Sequence, residues 1–563
     1  MASTPPLDTL GVSTRVRNQE NLPWWRTSRR TAAGCVVVGL AALVVQRRDA
    51  TWTASVGVSA QDTGRDYAYL PLAMDIVQMS QLPAAPTAPP TRAPATVTPT
   101  TPAPSATTLV PSPTAGPTDV LPTATPTPLV AAACGAVPSF HDGQSPSRII
   151  RVAPGGDDGA GDGSAERPFL TLRRAAREAA PGVAIRLAPG RYNGGTYLDD
   201  LAGAADAPIW IGGAPGTGPG ADGEPWPEAP IISGSGEGLH LTRARFVVVH
   251  DVVVEGASGN GINADDGGSV AGDPTSFHLT FERVAIRNIG SSGNQDCLKL
   301  SGLRDVVVRD SAFRRCGGGG SGSGIDMVGV RAAVVARSRF DEISGNAVQA
   351  KGGSNDIEVR ANRMVRAGGR AVNMGGSTGF AYFRPPLDPS QPNAEARDVR
   401  VVANWIEGSE AAVAFVGCVD CLAAHNTIVD PGRWVMRILQ ETRSADGFTF
   451  EPARDGTFAN NVVVFRAGVL RTAVNVGDAT APETFVFRNN LWFATDAPVR
   501  SAPQLPVTEQ GAVIGRDPRL GQDGAIESGS PAARAGMRIV GVAGDLVGAC
   551  YGDPPSIGAR EVP

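Results

Sequence analysis

Lys299 and Lys351 are the only two lysines in a chain whose Lys+Arg total is 50. An ammonium gives up its proton far more readily than a guanidinium, so lysine kept where arginine is the rule points to work that arginine cannot do. Proton abstraction is such work. Removing the weakly acidic proton beside a carboxylate takes a base that can shed its own proton, with cations to hold the carboxylate and the emerging enolate. Lys351 is the candidate base, and Arg370 and Arg384 are candidate carboxylate clamps. A second chemistry is open to the acids: Asp265 and Asp266 with Asp296 could approach the roughly 6.5–9.5 Å carboxyl spacing of an inverting glycoside hydrolase. The plain alternative is ion pairing on a solvated stripe, Lys299 with Asp296 or Asp326.

These residues recur at matching places in a repeat. Short segments read Gly261-Ile-Asn-Ala, Cys297-Leu-Lys-Leu, Gly324-Ile-Asp-Met and Ala347-Val-Gln-Ala, then Ala371-Val-Asn-Met, Ala412-Val-Ala-Phe and Val435-Met-Arg-Ile. In period-2 strands Ile262, Leu298, Ile325, Val348, Val372, Val413 and Met436 face inward. Asn263, Lys299, Asp326, Gln349, Asn373, Ala414 and Arg437 then form one outward column. Coils stack about 4.8 Å apart, which makes Lys299 and Asp326 neighbours and sets Lys351 about two coils from Lys299. A polar stripe of this kind suits a sugar chain, with Lys299, Asp326, Gln349, Asn373 and Arg437 as candidate binding residues. Tyr382 and Arg384, in the loop 377–396 with its Tyr382-Phe-Arg-Pro-Pro386 run, would supply a groove wall on which sugar rings stack.

Between the short segments lie longer strands such as Phe246-Val-Val-Val-His-Asp-Val-Val-Val and Val399-Arg-Val-Val-Ala-Asn-Trp-Ile. Repeated period-2 strands with Gly and Asn turns predict an all-β chain, a single-stranded right-handed parallel β-helix. Asn362, Asn404, Asn426, Asn461 and Asn490 follow matching strands, where stacked amides can bond coil to coil. Helical periodicity over Pro168–Ala180, closed by Pro181-Gly182, predicts one helix capping the open N-terminal end. His250, His278 and His425 lie in strands and read as structural.

Only 19% of residues are charged while Gly numbers 69, which suits many short strands and turns. A net charge of -5 leaves no broad basic field and argues against nucleic acid as a partner. Residues 1–30 form a basic tail expected on the cytoplasmic side, and 31–46 are apolar between arginine pairs, as in a signal or anchor segment. A juxtamembrane stretch 47–82 leads to a Pro/Thr-rich stalk over 83–130, which at about 3.1 Å per residue reaches on the order of 100 Å. Residues 134–563 form the β-helix domain, expected outside the cytoplasm, secreted or anchored, and monomeric. Six of seven cysteines fall in that part, an even number that fits disulfides of open connectivity, and Cys418-Val-Asp-Cys421 reads as a disulfide or thiols before a metal site.

Val152-Ala-Pro-Gly-Gly-Asp, Arg167-Pro-Phe-Leu-Thr-Leu and Pro189-Gly-Arg-Tyr192 resemble the opening of bacterial pectate-lyase-like β-helix proteins. Asp517-Pro-Arg-Leu, Ser530-Pro-Ala and Ile557-Gly-Ala-Arg-Glu561 resemble their final coil. The stretch Gln349-Ala-Lys-Gly-Gly-Ser-Asn-Asp-Ile-Glu-Val-Arg-Ala-Asn362 is similar to the Lys-bearing coil of alginate lyases and chondroitinase B. That resemblance implies a polysaccharide lyase acting on an acidic glycan, with Lys351 as base. The arginine of the following coil falls near Met374, which leaves Arg370 an approximate substitute. Calcium is the metal the resemblance implies, but its Asn/Glu ligand set has no counterpart beyond Asp326 and Glu342 nearby. The loop with Asp157, Asp158 and Asp162 reads as an Asp/Gly turn before a calcium site. A non-catalytic glycan-binding or adhesin-like surface protein is the alternative from another class.

Overall fold

The computed structural model describes residues 134–562 apart from 219–227, 271, 291–292 and 522, and the backbone of two strands nearer the N-terminus. The chain divides into two units, Met1–Val120 and Leu121–Pro563. In the first, Ala42–Arg48 pairs antiparallel with Thr51–Gly57. The rest of the segments expected over 1–30, 31–46, 47–82 and 83–130 lies outside the described residues. No helix among the described residues is long and apolar enough to cross a membrane.

The second unit is a right-handed parallel β-helix. One wall is a sheet of ten parallel strands. It runs through Thr196–Asp199, Leu239–Thr242, Ile262–Asp265, Leu298–Ser301 and Ile325–Val328. Asn346–Lys351, Arg370–Gly375, Ala411–Val416, Trp434–Leu439 and Val474–Val476 complete it. The remaining strands form a second parallel sheet around the other sides. Each coil packs on the next, so apolar residues of equal register pile into one core. Ile262, Leu298, Ile325, Val348, Val372, Val413 and Met436 are all buried there, and Phe313 stacks on Phe340 at 4.8 Å.

Corners of the coils bring residues such as Ala361, Ala403, His425, Asn460 and Asn489 to positive φ. The buried asparagine after each corner joins a ladder: the Nδ2 of Asn362, Asn404, Asn426 and Asn461 each donates to the Oδ1 of the next asparagine at 3.0 Å. Asn490 ends it on Glu509, whose carboxylate also accepts from Trp492 Nε1 at 2.8 Å. Backbone groups that a turn would otherwise leave unpaired are satisfied this way.

The N-terminal cap is a shorter helix than the periodicity over Pro168–Ala180 suggests, spanning Leu172–Ala176 with Thr171 accepting from Arg174 N at 3.1 Å. Glu178 N and Ala179 N donate three residues back, to Ala175 O and Ala176 O, so the chain tightens ahead of Pro181. Among the described residues three disulfides join Cys134 to Cys550, Cys297 to Cys316 and Cys418 to Cys421. An extended strap from Cys134 lies over several coils, held by Arg309 Nη1 donating to Val137 O at 2.7 Å, Arg337 Nη1 to Gly135 O at 3.3 Å and Arg360 to Ala136 O.

Candidate active site

Strand register decides which side chains share the outer wall. His240 pairs with Asn263, Asn263 with Lys299, Lys299 with Asp326 and Asp326 with Gln349. Gln349 pairs with Asn373, Asn373 with Ala414, Ala414 with Arg437 and Arg437 with Asn475. The row is therefore longer at both ends than the one the sequence outlines. Lys351 pairs with Val328, two residues further along its strand and also outward. Lys299 Nζ bonds Asp326 Oδ2, and Lys351 Nζ reaches the same oxygen at 3.5 Å. Both ammoniums thus meet on one carboxylate.

Asp296 completes the cluster from the turn ahead of Leu298. Its Oδ1 accepts from Ser323 N at 2.7 Å and its own N–H donates to Asn260 Oδ1 at 2.8 Å, which fixes the carboxyl beside the row. Its Oδ2 lies 3.4 Å from Lys299 Nζ. Asp296 and Asp326 are each 1% exposed, and Asp296 Oδ2 and Asp326 Oδ1 are buried without a hydrogen-bond partner. Burial first, and then the Asp326 charge, push the Asp296 carboxyl up to about 7 against the pull of Lys299, the Ser323 N–H and Lys351. At Lys299 burial opposes the ammonium, but Asp326 and Asp296 outweigh it and the pKa is raised. The centre holds an acid whose pKa is raised beside a second buried carboxyl that both lysines contact.

The other acids and arginines are differently engaged. Asp265 accepts from His240 Nε2 at 2.6 Å instead of facing Asp296. Asp266 is buried under Arg384, whose Nε and Nη2 reach its two oxygens at 2.5 and 3.1 Å, so that guanidinium fastens the 377–396 loop to the coil. Arg370 pairs with Glu441 and donates to Asn373 Oδ1 at 3.1 Å. Arg437 donates to Asn475 Oδ1 at 3.0 Å and sits 4.2 Å over the Trp434 ring. Tyr382, on a short 3-10 turn, is 64% exposed and free to meet a ligand at the rim. Glu342 is not near Lys351; it occupies a positive-φ corner of the second sheet among arginines. Among the described residues no group of three or more His, Cys, Asp or Glu is arranged to hold a metal ion.

Two supports escape the sequence reading. Glu395, fully buried, accepts from Gly352 N at 2.9 Å and from the N–H and hydroxyl of Thr378 at 2.8 Å each, tying the loop to the residue after Lys351. The loop then passes so close over the row that a Cβ on Gly376 would lie 2.5 Å from Gln349 Nε2. His240 is the second. Its ring lies between Asp265 and Glu237 Oε2, the latter at 2.8 Å, 5.1 Å from the Tyr197 ring. Leu239-His240-Leu241 repeats the in-out-in pattern one coil before Ile262, a signal present in the sequence.

The Asp265 bond first, and then the Glu237 bond, raise the His240 pKa to about 9. Its folded pKa exceeds the ordinary 6.5, so the stability it adds is complete below 6.5 and lost as pH rises through about 9. Thermal midpoints of wild type and His240→Gln measured from pH 6 to 10 are expected to converge toward the alkaline end; parallel curves would show that the imidazolium adds nothing.

No model of a known protein family matches this chain, and no curated protein does. Solved structures align with part of it. Pectate lyase Pel9A aligns at TM-score 0.47 and 16% identity over 77% of this chain and 100% of its own. The complex of XylC with xylose aligns at TM-score 0.43 and 11% identity over 73% of this chain and 98% of its own. An alginate lyase from Paenibacillus sp. str. FPU-7 aligns at TM-score 0.36 and 15% identity over 59% of this chain and 99% of its own. The likeness is one of fold alone.

Proposed function

We propose that this protein cleaves a polysaccharide by hydrolysis at the point of the row where Lys299 reaches the surface over the buried Asp296 and Asp326, with Asp296 as proton donor and Asp326 as the second carboxyl. The observation that carries the reading is the pair of adjoining buried carboxyls, one of them held protonated up to about 7. Neighbouring acids whose environments differ are what a glycosidic bond requires, one to protonate the leaving oxygen and one to meet the positive charge developing on the sugar. Asp296 and Asp326 both touch the Lys299 nitrogen, which brings them closer than the roughly 6.5–9.5 Å of inverting enzymes and favours retention at the anomeric carbon. Lys299 lies across both acids, and sugar hydroxyls would compete for its ammonium as the chain settles.

A second reading, β-elimination from a uronate with Lys351 as base, keeps support from the longer 3.5 Å contact of Lys351, the less tightly held of the two lysines. It is the weaker because both candidate clamps are committed, Arg384 to Asp266 and Arg370 to Glu441. We place the working domain outside the cytoplasm, at the end of the Pro/Thr-rich stretch, a reading supported by its three disulfides, and read it as a monomer.

Incubating the full chain with neutral and uronate polysaccharides tests both chemistries. New reducing ends without unsaturated, ultraviolet-absorbing products are expected, with the anomeric configuration kept. Unsaturated products would move the assignment to Lys351, and binding without any cleavage would leave a glycan-binding protein.

A further inference from the structure

The second sheet carries a site of a different kind. At one corner of successive coils Asn288, Arg315, Glu342 and Arg366 all adopt positive φ, so their side chains fall into one stack. Beside it runs the paired row of Arg287, Arg314 and Asp341. Together with Arg339, the charged residues of the stack and of the row close around a cavity of about 180 Å³. Five guanidiniums and two carboxylates line it, Arg287, Arg314, Arg315, Arg339 and Arg366 against Asp341 and Glu342.

The charges do not balance within the site. Glu342 alone serves three cations, Arg366 at 3.2 Å, Arg315 at 3.8 Å and Arg314 at 3.9 Å, the last two beyond hydrogen-bond length. Arg339 is matched to Asp341 at 2.5 Å and Arg287 to Glu255 at 2.9 Å. Arg314, Arg315 and Arg366 remain about half exposed or more, at 44%, 47% and 63%, with one carboxylate among them. This local excess stands on a chain whose net charge is -5, so general basicity does not explain it. Guanidiniums converging on a concave space are suited to an oxyanion, which they grip in bidentate fashion.

We propose that this cavity is an anion site that anchors a sulfate, phosphate or carboxylate group of an acidic glycan, on a sheet separate from the Asp296 row and independent of cleavage there. The apolar lining residues Ala285, Ile286, Ala312 and Phe313 are buried, so the site offers neither a ring for stacking nucleic-acid bases nor a side chain for entering a lipid layer, and a glycan is the source proposed.

Fluorescence polarisation of the full chain with labelled heparin oligosaccharide and labelled oligogalacturonate tests the site, with labelled duplex DNA and phosphatidylserine vesicles as further probes. Saturable binding of at least one glycan is expected, competed by inorganic sulfate or phosphate. The double variant Arg315→Gln/Arg366→Gln is expected to weaken it roughly tenfold, as when charged hydrogen bonds are lost. Glu342→Gln removes the competing internal anion and is expected to tighten binding severalfold, an opposite sign that general loosening of the fold would not give. Unaltered melting of each variant confirms that the coil is intact. Glycan affinity indifferent to all three changes, or binding of DNA or vesicles alone, overturns the proposal. Because the readout is binding, an inactive Asp296 row leaves this result untouched.

Discussion

Asp296→Asn is expected to lower kcat by roughly 10²- to 10⁴-fold, the usual loss when a general acid is removed, with KM changed little. An amide keeps an oxygen to accept from Ser323 N and loses only the transferable proton. In the wild type kcat falls as pH rises through about 7, where the donor ionises. Lys351 bears on the same carboxyl, because its positive charge helps the ionised form. Lys351→Met is therefore expected to move the alkaline limb of the profile to higher pH while activity persists. An enzyme that used Lys351 as its base would instead lose turnover at every pH, and one profile separates the two chemistries. Stability follows the same group. The folded pKa lies above the ordinary 3.8, so its contribution is present below 3.8 and lost as pH rises through about 7. Asp296→Asn should accordingly gain in thermal midpoint relative to wild type between pH 4 and pH 8. A gap independent of pH would mean that the acid is ionised throughout.

Asn426→Ala is expected to cost about 3–6 kcal/mol, because several buried polar groups lose partners together. Asn426 Oδ1 accepts both the N–H and the Nδ2 of Asn404 at 3.0 Å, while its Nδ2 donates to Val401 O at 2.8 Å and to Asn461 Oδ1 at 3.0 Å. The side chain is fully buried, and an alanine there leaves space too closed for solvent to enter freely. Coils of a solenoid are stabilised by their nearest neighbours, so the damage should be local. Hydrogen exchange is expected to quicken in the coils around Asn404 and Asn461 and to stay slow near Phe281. Uniform loss of protection along the domain would show that the coils unfold as one.

Alternation made the outward row legible before any coordinates. Each residue between two inward apolar neighbours had one direction open to it, and equal places in successive coils had to stack, which is why Lys299 and Asp326 come out paired. Residues outside strands obey no such rule. Asp296 sits in a turn, where capture by Ser323 N–H aims it at Lys299, and nothing in the spacing of the two strands announces that bond. Arg384 reaches Asp266 through a long loop whose path is set by Glu395 and Thr378. Glu342 lies close to Lys351 in sequence, but it stands itself at a positive-φ corner of the second sheet, while Lys351 belongs to a strand of the first, so the two side chains go to separate sheets. The capping helix stops short because only Leu172 and Ala175 bury an apolar face, and Pro181 disfavours helix just before it.

The Cys134–Cys550 bond also settles where mechanical load enters the domain. Tension on the chain preceding Cys134 passes across that bond into the C-terminal segment, itself held to earlier coils by Arg400, Asn460 and Thr427, while the arginines gripping residues 135–137 spread the remainder sideways over several turns. A pull from the N-terminal side therefore shears a broad patch instead of unzipping the first coil strand by strand, and cutting the bond with a reductant should convert one mode of rupture into the other.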